Sequence, residues 1–187
     1  MPAPIELHTS RLLLRRWRAE DRGAFAALNG DPEVMRHFPA CLGREESDRL
    51  AERLEADFAE HGFGFWALAR KDDGAFIGFT GLRPVTFDAP FCPAVEIAWR
   101  LTRDHWRQGL ASEAARAALA WGFGPLGLEQ IVSFTAVENL ASQGVMRAIG
   151  MQHEPAQDFA HPALPAGHRL SRHVLYRLSR ADWEAGR

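Results

Sequence analysis

Apolar and polar positions along the chain switch between two periods, and the switches predict an order of strands and helices. Arg11-Leu12-Leu13-Leu14-Arg15-Arg16-Trp17 is a short apolar run bounded by arginines and reads as a strand. Glu20-Asp21 then opens an amphipathic stretch with Phe25 and Leu28 that stops at Asn29-Gly30, and Asp31-Pro32-Glu33 restarts a short helix, a cap followed by proline. Between Gly43 and His61 the residues Leu50, Leu54 and Phe58 recur every four positions among charges, a clearer helix. Phe63 to Arg70 and Ala75 to Val85 are strand-like runs joined by Lys71-Asp72-Asp73-Gly74, where Asp-Gly predicts a hairpin. Pro84, Pro90 and Pro93 bound a loop before a strand from Ala94 to Leu101.

The second half adds a helix from Leu110, a strand Ile131 to Ala136, a helix after Asn139, a proline- and histidine-rich loop His153 to Leu170, and a strand Arg172 to Leu178. The coarse order, β-α-α-β-β-β-α-β-α-β-β, puts an antiparallel meander before a βαβ unit. It predicts an α/β (α+β) fold: a mixed, mostly antiparallel central sheet of about six or seven strands with helices on both faces.

The most telling stretch is Trp99 to Trp121. An apolar strand ends in a basic turn, Arg103-Asp104-His105-Trp106-Arg107-Gln108-Gly109-Leu110-Ala111, and a helix follows with Leu110, Ala114, Ala117, Ala118 and Trp121 on one face. Small residues at the helix start let backbone N–H groups approach an anion, and the helix end adds unpaired donors and a favourable dipole. An ordinary strand-to-helix connection with glycine near its N-cap is the competing reading. A second candidate turn, Val137-Glu138-Asn139-Leu140-Ala141-Ser142, leaves the strand Ile131 to Ala136.

Trp106 to Ala114 resembles the acyl-CoA pyrophosphate loop of the GNAT superfamily of N-acetyltransferases, Q/R-x-x-G-x-G/A. Trp106 departs from the usual first residue, a departure familiar in the branch related to ribosomal-protein N-terminal (Rim-type) acetyltransferases. Asn139-Leu140-Ala141-Ser142 through Ile149-Gly150-Met151 resembles the same superfamily's N-x-x-S…G-[FM] signature. The likeness covers Ser10 to Tyr176, with the first and last strands in their expected places.

The resemblance implies one N-acetyltransferase domain over residues 1–187. Acetyl-CoA, as co-substrate, would lie between the strands Glu96 to Leu101 and Ile131 to Ala136. Its phosphates would meet Arg103, Arg107, Gln108, Gly109, Leu110, Ala111 and Ser112. The backbone of Trp99, Arg100 and Leu101 would pair with the pantetheine arm like an added strand, and Asn139 would bond the same arm while capping its helix.

Acetyl transfer needs a neutral amine, yet a lysine-like amine with pKa near ~10.4 and an α-amino group near ~8 are largely protonated at neutral pH. Some base must take that proton. Glu96 is the only acid in its apolar run, where desolvation would suit it to the task, and the family often places a base on this strand. Alternatively it faces solvent or pairs with an arginine. Many relatives carry a tyrosine where this chain has Met146, which cannot donate a proton to the leaving thiolate. Ser142 is the donor the resemblance favours, with helix capping as its alternative role. Asp31 to Leu42, Pro84 to Pro93 and Phe159 to Arg169 are candidate walls for the amine acceptor; Phe38, Phe87, Phe91 and Phe159 within them serve equally as packing.

Composition changes this picture little. The chain has 187 residues, 47% hydrophobic and 25% charged, which fits a soluble single domain. A formal charge of −2 gives no reason to expect nonspecific nucleic-acid binding. Lys71 is the one lysine, so nearly all positive charge is arginine. Cys41 and Cys92 are too few for a disulfide framework, and no signal peptide or membrane span is evident, so a cytoplasmic protein with reduced thiols and no membrane partner is expected. His161, His168 and His173 lack the short paired spacing of a metal site, and no metal is expected. Gly122-Phe123-Gly124-Pro125-Leu126-Gly127 follows a helix and precedes a strand, the reverse of a dinucleotide fingerprint, and reads as a helix stop. A noncatalytic acyl-CoA-binding or regulatory module is the alternative function. A homodimer is common among similar proteins.

Overall fold

The computed structural model describes residues 6–186. Two compact units divide the chain: one holds residues up to Arg83 together with Ala98–Ala118, the other Pro84–Ile97 together with the chain from Leu119 onward.

In the first unit, β1 (Leu7–His8), β2 (Leu12–Arg15), β3 (Phe65–Arg70) and β4 (Phe76–Pro84) form an antiparallel meander, with Leu14 opposite Leu68 and Leu68 opposite Gly78. β5 (Val95–Leu101) follows β4 in strand order, and its last four residues belong to this unit. A Cβ on Gly78 would sit 2.1 Å from the Arg100 carbonyl oxygen, so only glycine lets β4 come this close to β5. The register shift between Leu68 and Ala69 lies directly across from that point.

Three helices separate β2 from β3: α1 (Asp21–Gly30), α2 (Pro32–Met35) and α3 (Arg44–His61). Asp31 starts α2 by accepting from the Glu33 N–H at 2.8 Å, and Glu46 accepts from the Gly43 N–H at 2.8 Å at the start of α3. Phe25, Leu28, Val34, Ala51, Leu54, Phe65 and Phe79 form the core between these helices and the strands, with Trp17 against it. Arg15, expected within a strand, turns inward and holds buried Asp21 through two 2.7 Å bonds. At the hairpin, the Lys71 ammonium donates to the Thr9 carbonyl and its backbone N–H to the Arg11 carbonyl at 2.9 Å, tying the turn to the start of β2.

In the second unit, Glu96 of β5 pairs in parallel with Val132 of β6 (Gln130–Ala136), which runs antiparallel to β9 (Arg172–Ser179). β7 (Gln152–His153) and β8 (Phe159–Ala160) also pair with β9. α4 (Leu110–Phe123) ends in the glycine-rich stop, and α5 (Leu140–Ala148) and α6 (Arg180–Ala185) complete the helices.

The fold is mixed and mostly antiparallel as expected, with nine strands among the described residues rather than six or seven. The two-residue β1, β7 and β8 are too short to show a period of two; β7 straddles the start of the expected loop, and β8 falls inside it. α6 is a further addition, and Ser179 with Asp182 caps it reciprocally at 2.5 and 3.1 Å. Among the described residues no helix is long and apolar enough to cross a membrane.

Candidate active site

The basic turn is built as a donor cradle. Arg103–His105 forms one turn of 3-10 helix, and Arg107 and Gly109 take left-handed backbone conformations with φ of 57° and 76°. A left-handed arginine is strained by about 1–2 kcal/mol. Glu113 N–H donates to the Gly109 carbonyl at 3.0 Å in the first turn of α4, so the N–H groups of Leu110, Ala111 and Ser112 stand ahead of it, at the positive end of the helix. Arg107, Gln108 and Gly109 are exposed around them, and Leu110 is buried as the anchor.

Trp106, the departure from the family pattern, has a clear task. Its indole N–H donates to the Leu101 carbonyl at 2.8 Å, closing the turn onto the end of β5. Gln108 Nε2 donates to the Asp104 carbonyl at 2.7 Å, and Arg103 leans toward Asp31 at 3.5 Å.

Two residues outside the sequence-derived set hold the cradle. Glu113 accepts from the Thr9 hydroxyl at 2.6 Å, the Ser10 hydroxyl at 3.0 Å, the Arg11 backbone N–H at 2.9 Å and the Arg11 guanidinium at 2.6 Å. Arg11 Nη1 also donates to the Gln108 carbonyl at 3.0 Å. Burial pushes the Glu113 carboxyl up, but these donors together outweigh it and hold the carboxyl at about 2. The one signal in the sequence was an acid in the first turn of α4, where a helix dipole favours it.

Arg100, on β5 in the same unit, has its Cζ 4.0 Å from the Phe38 ring centroid and 5.3 Å from that of Phe79. Its Nη1 donates to the Asn29 side-chain carbonyl, and Asn29 in turn donates to the Ser47 hydroxyl at 2.9 Å. Trp99 is half-buried and Leu101 buried.

The second unit carries the other candidates. Glu96 is half-buried beside Val132, and the Ser133 hydroxyl donates to the Ile97 carbonyl at 2.9 Å. Asn139 caps α5 by accepting from the Ser142 N–H at 3.2 Å. Its amide nitrogen donates to the Thr135 hydroxyl at 2.9 Å and to Ser142 Oγ at 3.1 Å. Ser142 Oγ is thus an acceptor in the cap, which leaves its own O–H to be given elsewhere. Met146 is buried, and the single tyrosine, Tyr176, accepts from Arg147 at 2.9 Å and donates to Gln143 at 3.3 Å.

Of the four candidate acceptor-wall aromatics, Phe87, Phe91 and Phe159 come together in this unit, while Phe38 lies in the other, against Arg100. Phe134, His161 and His173 complete the cluster, the two imidazoles 4.9 Å apart. Burial pushes both histidines down, and at His173 the nearby His161 reinforces this against an opposing bond to the Ser171 carbonyl.

A strand, a left-handed donor turn and a helix N-terminus thus follow one another in the first unit, and a capped helix follows β6 in the second. The acetyltransferase (GNAT) domain model matches residues 11–152, and the chain belongs to that family. It is 28% identical over 181 residues to the uncharacterized N-acetyltransferase YnaD of Bacillus subtilis, covering 96% of this chain and 99% of that protein. It is 30% identical over 186 residues to the FsC-acetyl coenzyme A-N(2)-transacetylase of Aspergillus fumigatus, covering 95% and 77%. Among solved structures, a GNAT-family acetyltransferase from Bacillus anthracis superposes with a TM-score of 0.78 at 22% identity, over 95% of this chain and 99% of that one. A putative ribosomal-protein-serine acetyltransferase from Vibrio cholerae does so at 0.76 and 16%, over 96% and 99%. The fold is therefore shared with Rim-like neighbours.

Proposed function

We propose that this chain moves the acetyl group of acetyl-CoA to a primary amine, a small molecule or a protein N-terminus, by direct attack in a ternary complex. The observation that carries this reading is the donor turn, with Arg107 and Gly109 left-handed ahead of the α4 N-terminus. The N–H groups of Gly109, Leu110, Ala111 and Ser112 at the start of α4, with the side chains of Arg103, Arg107 and Gln108, suit the pyrophosphate. Backbone groups of Trp99, Arg100 and Leu101, and the Asn139 side chain, suit the pantetheine arm.

Glu96 takes the proton of the attacking ammonium, directly or through water. The amine nitrogen then bonds to the thioester carbon, the C–S bond breaks, the thiolate takes a proton from the Ser142 hydroxyl, and the second proton of the amine nitrogen passes through solvent water back to the Ser142 oxygen, leaving the amide and free CoA thiol. The whole chain serves as one catalytic domain, with the cytoplasm as its setting and a homodimer as its assembly.

A thermal-shift titration with acetyl-CoA, with ATP and NAD at equal concentration as controls, tests the frame. At about 100 times Kd the gain is ~2.7 kcal/mol, or roughly 5–10 °C for a chain of this size. A selective saturable shift, followed by thioester consumption with an amine panel, is expected. Well-folded protein without a selective shift would remove the co-substrate and the reaction built on it, and a shift without turnover on any amine would leave only a binding module.

A further inference from the structure

We propose that the Arg100 guanidinium is the seat for a carboxylate carried by the acceptor, so that this chain acetylates an amine that is also an acid. The word acceptor rests on the acetyl-transfer reading above; the anion seat itself rests on Arg100 and its surroundings. A guanidinium has five N–H donors. One bond is made, to Asn29, and Nε is fully buried without a partner. Among the described residues no carboxylate pairs with Arg100; Asp31, two residues after Asn29 in the chain, is committed to Arg103 and to the Glu33 N–H.

The surroundings do not dissolve the charge either. Phe38 and Phe79 offer ring faces, which hold a cation but accept none of its in-plane N–H bonds. Asn29 gives its oxygen to Arg100 and its amide nitrogen to Ser47, so its orientation is fixed. Burial pushes Arg100 down to about 10, still far above neutral pH, and the cation persists.

Arg100 is part-exposed with its Nε buried, so the guanidinium is short of partners on its inner side yet reachable from outside, and a ligand that brings the missing negative charge is favoured there. The group that fits is flat, singly negative and able to accept two parallel bonds from the guanidinium edge between two rings, which describes a carboxylate. The elements around it agree with this use. Asn29 lies in the last turn of α1, and Phe38 follows α2 in the segment expected from the sequence to wall the acceptor.

The test uses L-amino acids paired with their carboxamides, together with C-terminally amidated tetrapeptides carrying Asp or Glu at the second position. Binding is read by thermal shift in the presence of CoA, and turnover by acetyl-CoA consumption. We expect at least one acid to exceed its amide by roughly 10- to 1000-fold, with the ratio collapsing toward one in Arg100→Gln. Arg100→Lys keeps a cation in the slot, guards against a folding failure, and should lose most of the preference because it lacks the planar fork. Preference confined to free amino acids identifies a small acceptor; preference shared by the acidic tetrapeptides identifies a peptide side chain.

Acids and amides that bind and react alike, or a preference that survives both substitutions, would overturn the proposal while leaving acetyl transfer intact. Arg100-dependent binding of acids with no thioester consumed on any amine would do the reverse.

Discussion

Single residues in this chain carry roles their identities only half announce. Glu96 sits half-buried where β5 meets β6, and on the proposed reading of it as the base its substitution by Gln is expected to lower kcat about 100-fold. The loss should shrink as pH rises toward the pKa of the acceptor amine, because a free amine needs no base. Steady-state rates from pH 6 to 10 on wild type and Glu96→Gln check this, and a constant ratio across that range would take Glu96 out of the mechanism. Gly109 was legible as the glycine of a helix start and Asn139 as a helix cap, and in the structure Gly109 is left-handed and Asn139 accepts from the Ser142 N–H. Trp106 was legible only as a departure, since its bond to the Leu101 carbonyl depends on a turn that no periodicity specifies. Arg100 was marked for its backbone alone; what its side chain faces is set by Asn29 and Phe38, some 60 to 70 positions earlier in the sequence.

Elements obey a similar division. α3, α4 and β2 to β6 could be read because each is long enough to show its period or ends in a turn with strong chemistry. β1, β7 and β8 have two residues each and exist only because a longer neighbour accepts them. α6 had its capping pair in plain view at Ser179 and Asp182. The start of α4 is held by Glu113, and this element-scale contact has a pH signature. With a folded pKa near 2 against an ordinary 4.5, it stabilises the fold above pH 4.5 and loses that contribution as pH falls toward 2. Glu113→Gln is expected to cost roughly 1–2 kcal/mol near neutrality, a fall in Tm of roughly 2–8 °C. Unfolding curves of both proteins from pH 7 to pH 3 should show the gap closing; a gap unchanged by pH would mean the carboxylate charge contributes nothing.

Across the whole molecule the sequence order of elements was enough to place the chain in its fold class, because an antiparallel meander followed by a βαβ unit leaves few topologies. What it did not reveal is the gathering of Phe87, Phe91, Phe134, Phe159, His161 and His173, which come from four separate stretches. Burial pushes both histidines below the ordinary 6.5. Their contribution to stability is therefore present above pH 6.5 and declines as pH falls below it, since the unfolded chain then binds protons the folded one refuses. Global stability should begin to drop below pH 6.5, and His173→Phe, which keeps a ring in the cluster, should flatten part of that slope. An unaltered slope in the variant would place the titration elsewhere.

One feature of the hairpin bears on how such a protein endures its own reagent. Thioesters react slowly and without guidance with any unprotonated primary amine, yet the only lysine here is Lys71, whose ammonium is held by the Thr9 carbonyl. Every other basic side chain of the Lys and Arg class is a guanidinium, which stays protonated and poorly nucleophilic at physiological pH. The enzyme's surface charge is thereby made chemically durable: stray acylation has one side-chain amine to find, and that one serves as a brace.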